Sequence, residues 1–161
     1  MLKRILVVDD HDVVRQGVRL ILRSHSEWEV VGEAEDGFKA VEKAKALDPD
    51  VIILDISMPG KDGFQVIADL TKLKIRSRIL VLTMHDTKEL VAAVRKSGAA
   101  GCVTKTHAAR DLVQAVQHVF EGGDFFPEPS SPARPGEKPV KESELPGRKM
   151  STLASPSTGP E

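Results

Sequence analysis

Three aspartates that end two apolar runs are the residues of this chain best suited to chemistry. Asp9 and Asp10 follow the run ILVV, and Asp55 ends the run VIILD. Carboxylates that lie close together repel one another, and burial makes the repulsion worse. Either the acids after the first run cap a helix, as aspartate often does, or they hold a cation. We expect Asp12 to be the capping or first-turn residue and the other three to form a cation site.

The cation that suits such a group is Mg2+, which prefers oxygen ligands and keeps several waters. Asp10 and Asp55 are the strongest candidate ligands, with Asp9 next. A backbone carbonyl would come from Ser57, two residues after Asp55. The ion would leave positions open for a phosphoryl oxygen, and one carboxylate would act as a nucleophile to form an acyl phosphate. The residue types therefore predict phosphoryl transfer to an aspartate.

Two further polar residues stand at the ends of later apolar runs. Thr83 ends RILVLT, and Lys105 follows GCVT. A lysine ammonium would stabilise the charge on a transferring phosphoryl group, and a threonine hydroxyl would donate a hydrogen bond to one of its oxygens. Each residue alone is more typical of a strand end or a surface charge. They join the predicted site only if the fold brings the ends of these runs together.

Five short Val/Ile/Leu runs alternate with five amphipathic stretches, which predicts alternating strands and helices. Chains with this pattern form a parallel sheet that helices cover on both faces. We therefore predict an α/β fold with a doubly wound, five-stranded parallel sheet. Ligands of such sheets lie beyond the carboxyl ends of the strands, so the candidate site residues should converge there. The strand runs are RILVV, EVVGEA, VIILD, RILVLT and GCVT, and the helical stretches are DVVRQGVRLILRS, GFKAVEKAKAL, GFQVIADLTKL, KELVAAVRKS and ARDLVQAVQHVF.

The composition changes sharply near residue 127. Eight of the ten prolines lie in residues 127–161, and all the aromatic residues precede that segment. Such a segment buries too little apolar area to offset the entropy of ordering it. We predict a single domain over residues 1–126 and a Pro/Ser-rich disordered tail or linker over residues 127–161.

The residue totals argue against several classes of protein. The chain has 23 Lys and Arg against 24 Asp and Glu, so it lacks the basic excess of a generic nucleic-acid binder. Its single cysteine, Cys102, excludes an internal disulfide and a multi-cysteine metal site. No apolar stretch approaches the roughly 20 residues that span a bilayer, and the first residues do not follow a signal-peptide pattern. We expect a cytoplasmic protein with no membrane partner.

Four motifs occur in this order along the chain: LVVDDHDVVRQGV, DVIILDISMPGKDGFQVI, ILVLTMHD and GAAGCVTK. Together they closely resemble the response regulator receiver domain of two-component signalling, and the resemblance covers about residues 3–122. The resemblance implies a flavodoxin-like fold of five strand–helix units and a role in phosphorelay signalling. The last two motifs are most similar to the NarL/FixJ group, although no helix-turn-helix is recognisable after residue 127.

The resemblance also implies roles for individual residues. Asp55 corresponds to the family's phosphoacceptor, and Lys105 corresponds to its characteristic lysine. Thr83 matches the hydroxyl residue that acts as a switch. Asp9 and Asp10 match the acidic pair that holds Mg2+ in the family.

Two residues depart from the family's pattern. Cys102 stands three residues before Lys105, where the family often has an aromatic side chain that reports the switch state. Thr106 stands where many members have proline, so a cis-proline turn is not offered there. Both departures concern the output of the signal rather than the phosphorylation chemistry. Pro59 and Gly63, in contrast, match the family's turn after the acceptor strand.

The resemblance implies partners as well. The donor would be a sensor histidine kinase or a histidine phosphotransfer protein, docking on the stretch HDVVRQGVRLILRS. Phosphorylation adds a charge of about −1.5 to −2, and this would bias the face formed by the fourth helix, fifth strand and fifth helix. That face would bind an output partner or a second copy, and the first and fifth helices offer another dimer surface. The chain would not be an enzyme beyond assisting its own phosphorylation and dephosphorylation.

Two other functions stay open. One is the receiver part of a LuxR-type DNA-binding transcription regulator, although no helix pair with suitable spacing follows residue 127, which argues against direct DNA binding by this chain. The other is a Mg2+-dependent phosphatase with an aspartyl nucleophile. The haloacid dehalogenase pattern requires an acid two residues after that nucleophile, where this chain has Ser57.

The histidines and the cysteine are expected to be structural. The histidines show no spacing typical of a metal site and are predicted to lie on the surface or beside helices. One of them, His85, is two residues after Thr83 and close enough in sequence to influence access to the phosphoryl group. Cys102 is predicted to be a small buried residue. The other histidines are His11, His25, His107 and His118.

Overall fold

The computed structural model describes residues 2–127, so the predicted tail lies outside the described residues except for its first position. Strands and helices alternate along the chain, as predicted. The strands are β1 (Lys3–Val8), β2 (Trp28–Ala34), β3 (Val51–Asp55), β4 (Arg78–Thr83) and β5 (Gly101–Thr104). The helices are α1 (Asp12–Leu22), α2 (Gly37–Leu47), α3 (Gly63–Lys72), α4 (Lys88–Lys96) and α5 (Ala108–Phe120), with a 3-10 turn at Lys105–His107 before α5.

The five strands form one parallel sheet in the order β2-β1-β3-β4-β5. The chain moves outward from β1 to β2, then crosses back to β3 on the other side of β1. The strand order therefore reverses between β1 and β3. In open sheets of this kind the crevice beyond the carboxyl ends at the reversal is where ligands bind. The predicted doubly wound fold is confirmed, and its crevice lies where β1 and β3 end.

Helices cover both faces of the sheet. Side chains alternate along each strand, so Ile5 and Val7 share a buried cluster with α1 and α5. Leu6 and Val8 point the other way, into a cluster that includes residues of α2, α3 and α4. This double burial explains why the strand runs are almost continuously apolar. Among the described helices, none is long and apolar enough to cross a membrane.

Side chains cap three of the helices. The carboxylates of Asp36 and Asp62 accept hydrogen bonds at the starts of α2 and α3, and the hydroxyl of Thr87 does so at the start of α4. The first helix differs, because His11 precedes it without a capping hydrogen bond from its side chain. Asp12 is a first-turn residue, as expected. The two acids that precede His11 therefore do not serve as the cap of α1.

A short segment after α5 covers the edge of the sheet. The backbone N–H of Cys102 donates to the carbonyl of Phe125 at 2.8 Å, and Phe125 N–H donates to the carbonyl of Ala100 at 3.0 Å. Phe126 lies beneath the guanidinium of Arg95, whose central carbon is 4.2 Å from the ring centroid. An uncovered edge strand offers free hydrogen-bonding groups to other chains. Phe125 and Phe126 thus protect β5.

Gly63 packs directly on the backbone that leaves β3. A Cβ added to Gly63 would meet the Cα of Ile56 at 2.7 Å and the backbone oxygen of Asp55 at 2.8 Å. The Gly63 N–H also donates to the Ile56 carbonyl at 3.0 Å. Backbone atoms at these distances must shift to admit a methyl group. The absence of a side chain at Gly63 therefore fixes how closely α3 approaches the acceptor loop.

We expect Gly63→Ala to lower the free energy of unfolding by about 1–3 kcal/mol, because overpacking forces the backbone to move. Gly17→Ala in α1 is the matched control, since nothing lies within 4 Å of the added Cβ. There the better helix propensity of alanine should stabilise the protein by up to about 1 kcal/mol. Urea unfolding of both variants measures the difference. Equal losses at the two glycines would contradict the packing argument.

Candidate functional site

The carboxyl ends of β1 and β3 bring three carboxylates and one imidazole together. One ligand atom from each of Asp9, Asp10, His11 and Asp55 lies within 4.8 Å of the others. Asp9 is fully buried and Asp55 is 2% exposed, whereas the side chain of Asp10 is 23% exposed. The predicted convergence of the three aspartates is therefore what the structure shows. The group is open to solvent on the side of Asp10 and His11.

Three carboxylate oxygens of this group are buried, one from each aspartate. Asp9 Oδ2 lies 2.9 Å from Lys105 Nζ and Asp10 Oδ1 lies 3.1 Å from His11 Nδ1, whereas Asp55 Oδ2 has no hydrogen-bond partner among the described residues. Burying a carboxylate oxygen without a partner is costly, and each such oxygen in a native protein calls for an explanation. A bound divalent cation supplies one, because carboxylate oxygens are the ligands that hard cations prefer. The arrangement fits a site for such a cation.

Lys105 supplies the positive charge that faces these acids. Its Nζ lies 2.9 Å from Asp9 Oδ2 and 3.4 Å from Asp55 Oδ1, and its side chain is 13% exposed. Burial lowers the pKa of the Lys105 ammonium, but the close contact with Asp9 and the charge of Asp55 outweigh burial, so that pKa is raised. Lys105 therefore stays charged. The end of β5 therefore lies beside the ends of β1 and β3, as predicted.

Asp55 is the carboxyl group whose ionisation the fold perturbs most clearly. Burial and the negative charge of Asp9 raise its pKa from 3.8 to about 6, against the opposing influence of Lys105 and of the Ser57 backbone N–H. That N–H donates to Asp55 Oδ1 at 3.1 Å. Ser57 thus contacts Asp55 through its backbone nitrogen, and its carbonyl as a metal ligand stays a prediction. Perturbed carboxyls in a crevice are typical of functional sites.

Thr83 lies at the same edge but outside this group. It is the residue after Leu82, which pairs with Asp55, and it pairs with Thr104 at the end of β5. Its side chain is buried, and its hydroxyl oxygen accepts a long hydrogen bond of 3.4 Å from the backbone N–H of His85. Position and burial fit the predicted site. The hydrogen bond described for Thr83 goes to His85 rather than to the carboxylates.

Sequence reasoning missed the part that Arg15 plays. Arg15 is only 8% exposed, and its guanidinium donates to the backbone carbonyl of Asp9 at 2.5 Å and to Glu33 Oε1 at 2.8 Å. It also pairs with Asp12, one helical turn earlier. Arg15 therefore ties the loop after β1 to α1 and β2. The spacing of Asp12 and Arg15, three residues apart on a helix, was a usable signal for the pair.

The position of His11 was also missed. Its Nδ1 lies 3.1 Å from Asp10 Oδ1 and 3.2 Å from Asp9 Oδ1, and its side chain is 65% exposed. The backbone N–H of His11 donates to Asp9 Oδ1 at 2.9 Å. Sequence reasoning expected a surface position, which is correct, but expected no part in a metal-binding group. The available signal for this position was that Asp9 and Asp10 immediately precede His11 in the sequence.

The other candidate residues behave as expected. His85, His107 and His118 are exposed, and His25 is half-buried and stacks on Trp28 with ring centroids 4.0 Å apart. Cys102 is 1% exposed, and burial together with the charge of Asp86 raises the pKa of its thiol to about 12. A thiol with that pKa is not a thiolate at neutral pH, so it is a poor nucleophile. The sequence-based description of Cys102 as a small buried residue is confirmed.

Comparison with known proteins identifies relatives of this architecture. The family model described as "Response regulator receiver domain" matches residues 5–117. Transcriptional regulatory protein DegU of Brevibacillus brevis is 40% identical over 123 residues, which are 76% of this chain and 52% of that protein. The Probable transcriptional regulatory protein NarL of Mycobacterium tuberculosis is 40% identical over 121 residues, covering 75% of this chain and 56% of that protein. The chain thus spans a little over half the length of these curated relatives.

A solved structure has the same architecture. The isolated REC domain of RcsB from Salmonella enterica serovar Typhimurium, in the presence of the phosphomimetic BeF3-, is 33% identical. It superposes with a TM-score of 0.73 and covers 80% of this chain and 95% of that chain.

Proposed function

This chain belongs to the response regulator receiver domain family and is thus the receiver part of a two-component response regulator. We propose that Asp55 is its phosphoryl acceptor. The observation that carries the proposal is the position of Asp55 in the crevice between β1 and β3. There its carboxylate has an oxygen without a hydrogen-bond partner among the described residues. A nucleophile needs such an unpartnered lone pair. The ammonium of Lys105 lies 3.4 Å from its other oxygen.

Asp9, Asp10 and Asp55 would hold Mg2+, with the backbone carbonyl of Ser57 as a fourth oxygen. The support is the set of buried carboxylate oxygens, one from each aspartate, of which Asp55 Oδ2 has no hydrogen-bond partner among the described residues. When bound, Mg2+ would neutralise these carboxylates and stabilise negative charge on the phosphoryl oxygens. The chain would assist its own phosphorylation and dephosphorylation in this way without acting on a separate substrate.

The transfer is a displacement at phosphorus. An oxygen of the Asp55 carboxylate attacks the phosphorus of a phosphohistidine on a kinase or phosphotransfer protein. The phosphorus–nitrogen bond breaks as the phosphorus–oxygen bond forms, and the imidazole nitrogen leaves with the electron pair. The ammonium of Lys105 balances the charge of the transferring group. The hydroxyl of Thr83 would turn from the His85 backbone towards a phosphoryl oxygen.

The donor would dock beside α1. An apolar groove of about 230 Å³ lies between α1 and α5, lined by Val14, Ile21 and Ala108 among others, and it reaches Lys105. Val13 and Leu20 of α1 are exposed by 77% and 61%. Exposed apolar residues beside a groove are typical of a protein-binding surface. This position would bring a donor histidine close to the acceptor.

Phosphorylation would change the face formed by α4, β5 and α5, and that face would bind a partner protein or a second copy of the chain. A second candidate, supported by the relatives, is the receiver part of a longer DNA-binding regulator. DegU and NarL are named as transcriptional regulators, and each of those proteins is longer than the region that matches this chain.

We propose residues 1–126 as the receiver domain and residues 127–161 as its tail or linker. A cytoplasmic location accords with this function.

Incubation with a small acyl phosphate or phosphoramidate donor and Mg2+ tests the acceptor. We expect one phosphoryl group per chain, mapped by mass spectrometry to Asp55, because its carboxylate has a nearby ammonium on Oδ1 and keeps Oδ2 without a hydrogen-bond partner among the described residues. Chelation of Mg2+ with EDTA should suppress the label, since the acids then repel the donor. Label on Asp12 or Ser57, or equal labelling with EDTA, would contradict the proposal.

A further inference from the structure

His11 adds a nitrogen atom to a group that otherwise offers only oxygens. Its Nδ1 lies within 3.2 Å of both Asp9 Oδ1 and Asp10 Oδ1, and Asp55 completes a group in which all four ligand atoms lie within 4.8 Å of one another. The imidazole stands on the open side of the crevice, since its side chain is 65% exposed. A cation that enters from solvent would meet His11 and Asp10 first, and then the two buried acids.

The buried acids show that the group is built to receive a cation. Asp9 is fully buried and Asp55 is 2% exposed, yet Asp55 Oδ2 has no hydrogen bond from the described residues. Lys105 alone supplies a cation from within the described chain, and its contacts are with Asp9 Oδ2 and Asp55 Oδ1. One ammonium leaves Asp55 Oδ2 without a partner. The site has ligand capacity beyond what Lys105 uses.

We propose that this group also binds a borderline divalent ion of the Zn2+ class, with His11 Nδ1 as a ligand, in competition with Mg2+. The competition rests on the proposed function, because Mg2+ is the ion that would be displaced. Mg2+ takes oxygen ligands, whereas imidazole suits Zn2+, Ni2+ and Cu2+. The imidazole therefore adds affinity for the second class of ion and little for the first.

The number of ligands decides what such an ion would do to the site. Zn2+ is commonly four-coordinate and tetrahedral, with bonds of about 2.0–2.2 Å to nitrogen and carboxylate oxygen. Such bonds place ligand atoms roughly 3.4 Å apart, close to the 3.1 and 3.2 Å between His11 Nδ1 and the oxygens of Asp10 and Asp9. All four ligand atoms lie within 4.8 Å of one another, so they would draw together around the ion. Asp9, Asp10, His11 and Asp55 would fill all four positions. No position would remain for a phosphoryl oxygen, so the bound ion would block phosphorylation.

Competition titrations of the full chain with a chromophoric Zn2+ indicator, and separate Mg2+ titrations, measure the ratio of the two affinities. We expect His11→Ala to lower the Zn2+/Mg2+ affinity ratio at least about tenfold, as loss of metal-site groups typically does. His118→Ala is the control, because His118 is exposed on α5 and hydrogen-bonds to the Gln114 carbonyl. Its ratio should match that of the unaltered chain.

Co2+ gives an independent spectroscopic readout. Tetrahedral Co2+ absorbs visible light far more strongly than octahedral Co2+, so we expect strong absorption with the unaltered chain and its loss in His11→Ala. An unchanged affinity ratio in His11→Ala, or an equal fall in His118→Ala, would overturn the inference. Labelling of Asp55 without Zn2+ separates the two proposals. A labelled Asp55 with an unchanged ratio removes only the Zn2+ site, and His11-dependent Zn2+ binding without any label removes only the phosphoacceptor.

Discussion

Asp55→Asn is expected to abolish phosphoryl acceptance completely and, in the metal-free protein, to increase stability at neutral pH. An amide offers no ionised oxygen for attack on phosphorus, so no label from a phosphodonor should appear at this position. The gain in stability has a separate cause. Burial and the charge of Asp9 raise the pKa of Asp55 to about 6, which means that the folded chain resists forming this carboxylate.

The direction of that pKa shift sets the sign of the pH dependence. The Asp55 carboxyl ionises near its usual pKa of 3.8 in the unfolded chain, but near 6 in the folded chain. The unfolded state therefore releases this proton first, and the free energy of unfolding falls as pH rises from about 4 through about 6. Asp55→Asn removes this fall. We expect the variant to be more stable by about 1–3 kcal/mol at pH 7.5 and to lose that advantage towards pH 4.

Urea unfolding in EDTA between pH 4 and 8 measures this difference. Asp124→Asn is the matched control, because Asp124 is an exposed aspartate whose 3.4 Å contact with Arg78 lies far along the chain from the crevice. We expect that control to change stability by less than about 0.5 kcal/mol at every pH. With Mg2+ present, the unaltered chain should be more stable than Asp55→Asn, since the ion binds the three carboxylates of the unaltered chain. A loss of stability in Asp55→Asn at pH 8 without metal would refute the argument.

The fold was predictable because its signals are local. The β3 run VIILD is buried on both faces, and it ends at Asp55 as predicted. Gly60 and Gly98 adopt positive φ between β3 and α3 and between α4 and β5, where glycine is typical of turns. What escaped prediction depends on tertiary contact. Nothing near Phe125 in sequence indicates that its backbone would pair with β5, because that pairing joins residues more than 20 positions apart.

The site was predictable as far as strand ends define it. Asp9 and Asp55 end or follow neighbouring strands, so parallel pairing of β1 and β3 must bring them together. The roles of His11 and Arg15 depend instead on side-chain direction after the strand has ended. The loop of residues 9–11 fixes where the His11 side chain points and how α1, which carries Arg15, is oriented, and hydrophobic periodicity carries no information about either. Burial of Arg15 in particular follows from Glu33, which lies on β2 and is distant in sequence.

Lys105→Met is expected to destabilise the metal-free protein by about 3 kcal/mol or more at pH 7.5, as loss of one partner of a buried ion pair does. Methionine matches the length and much of the volume of lysine, so the packing around Lys105 is largely kept. What is lost is the only charge that faces both Asp9 and Asp55 at close range among the described residues. Lys39→Met is the control, because the Lys39–Glu35 pair is exposed and exposed pairs contribute little to stability.

The effect of pH and metal separates charge from packing at Lys105. Without the ammonium, the pKa of Asp55 should rise further, since Lys105 now lowers it. The destabilisation of Lys105→Met should therefore grow as pH increases above about 6 and shrink towards pH 4, where the Asp55 carboxyl is protonated in the folded chain. Mg2+ should restore most of the lost stability, because it replaces the missing positive charge, although phosphorylation of Asp55 should remain slow. A loss of stability that is constant with pH and insensitive to Mg2+ would mean that Lys105 acts by packing alone.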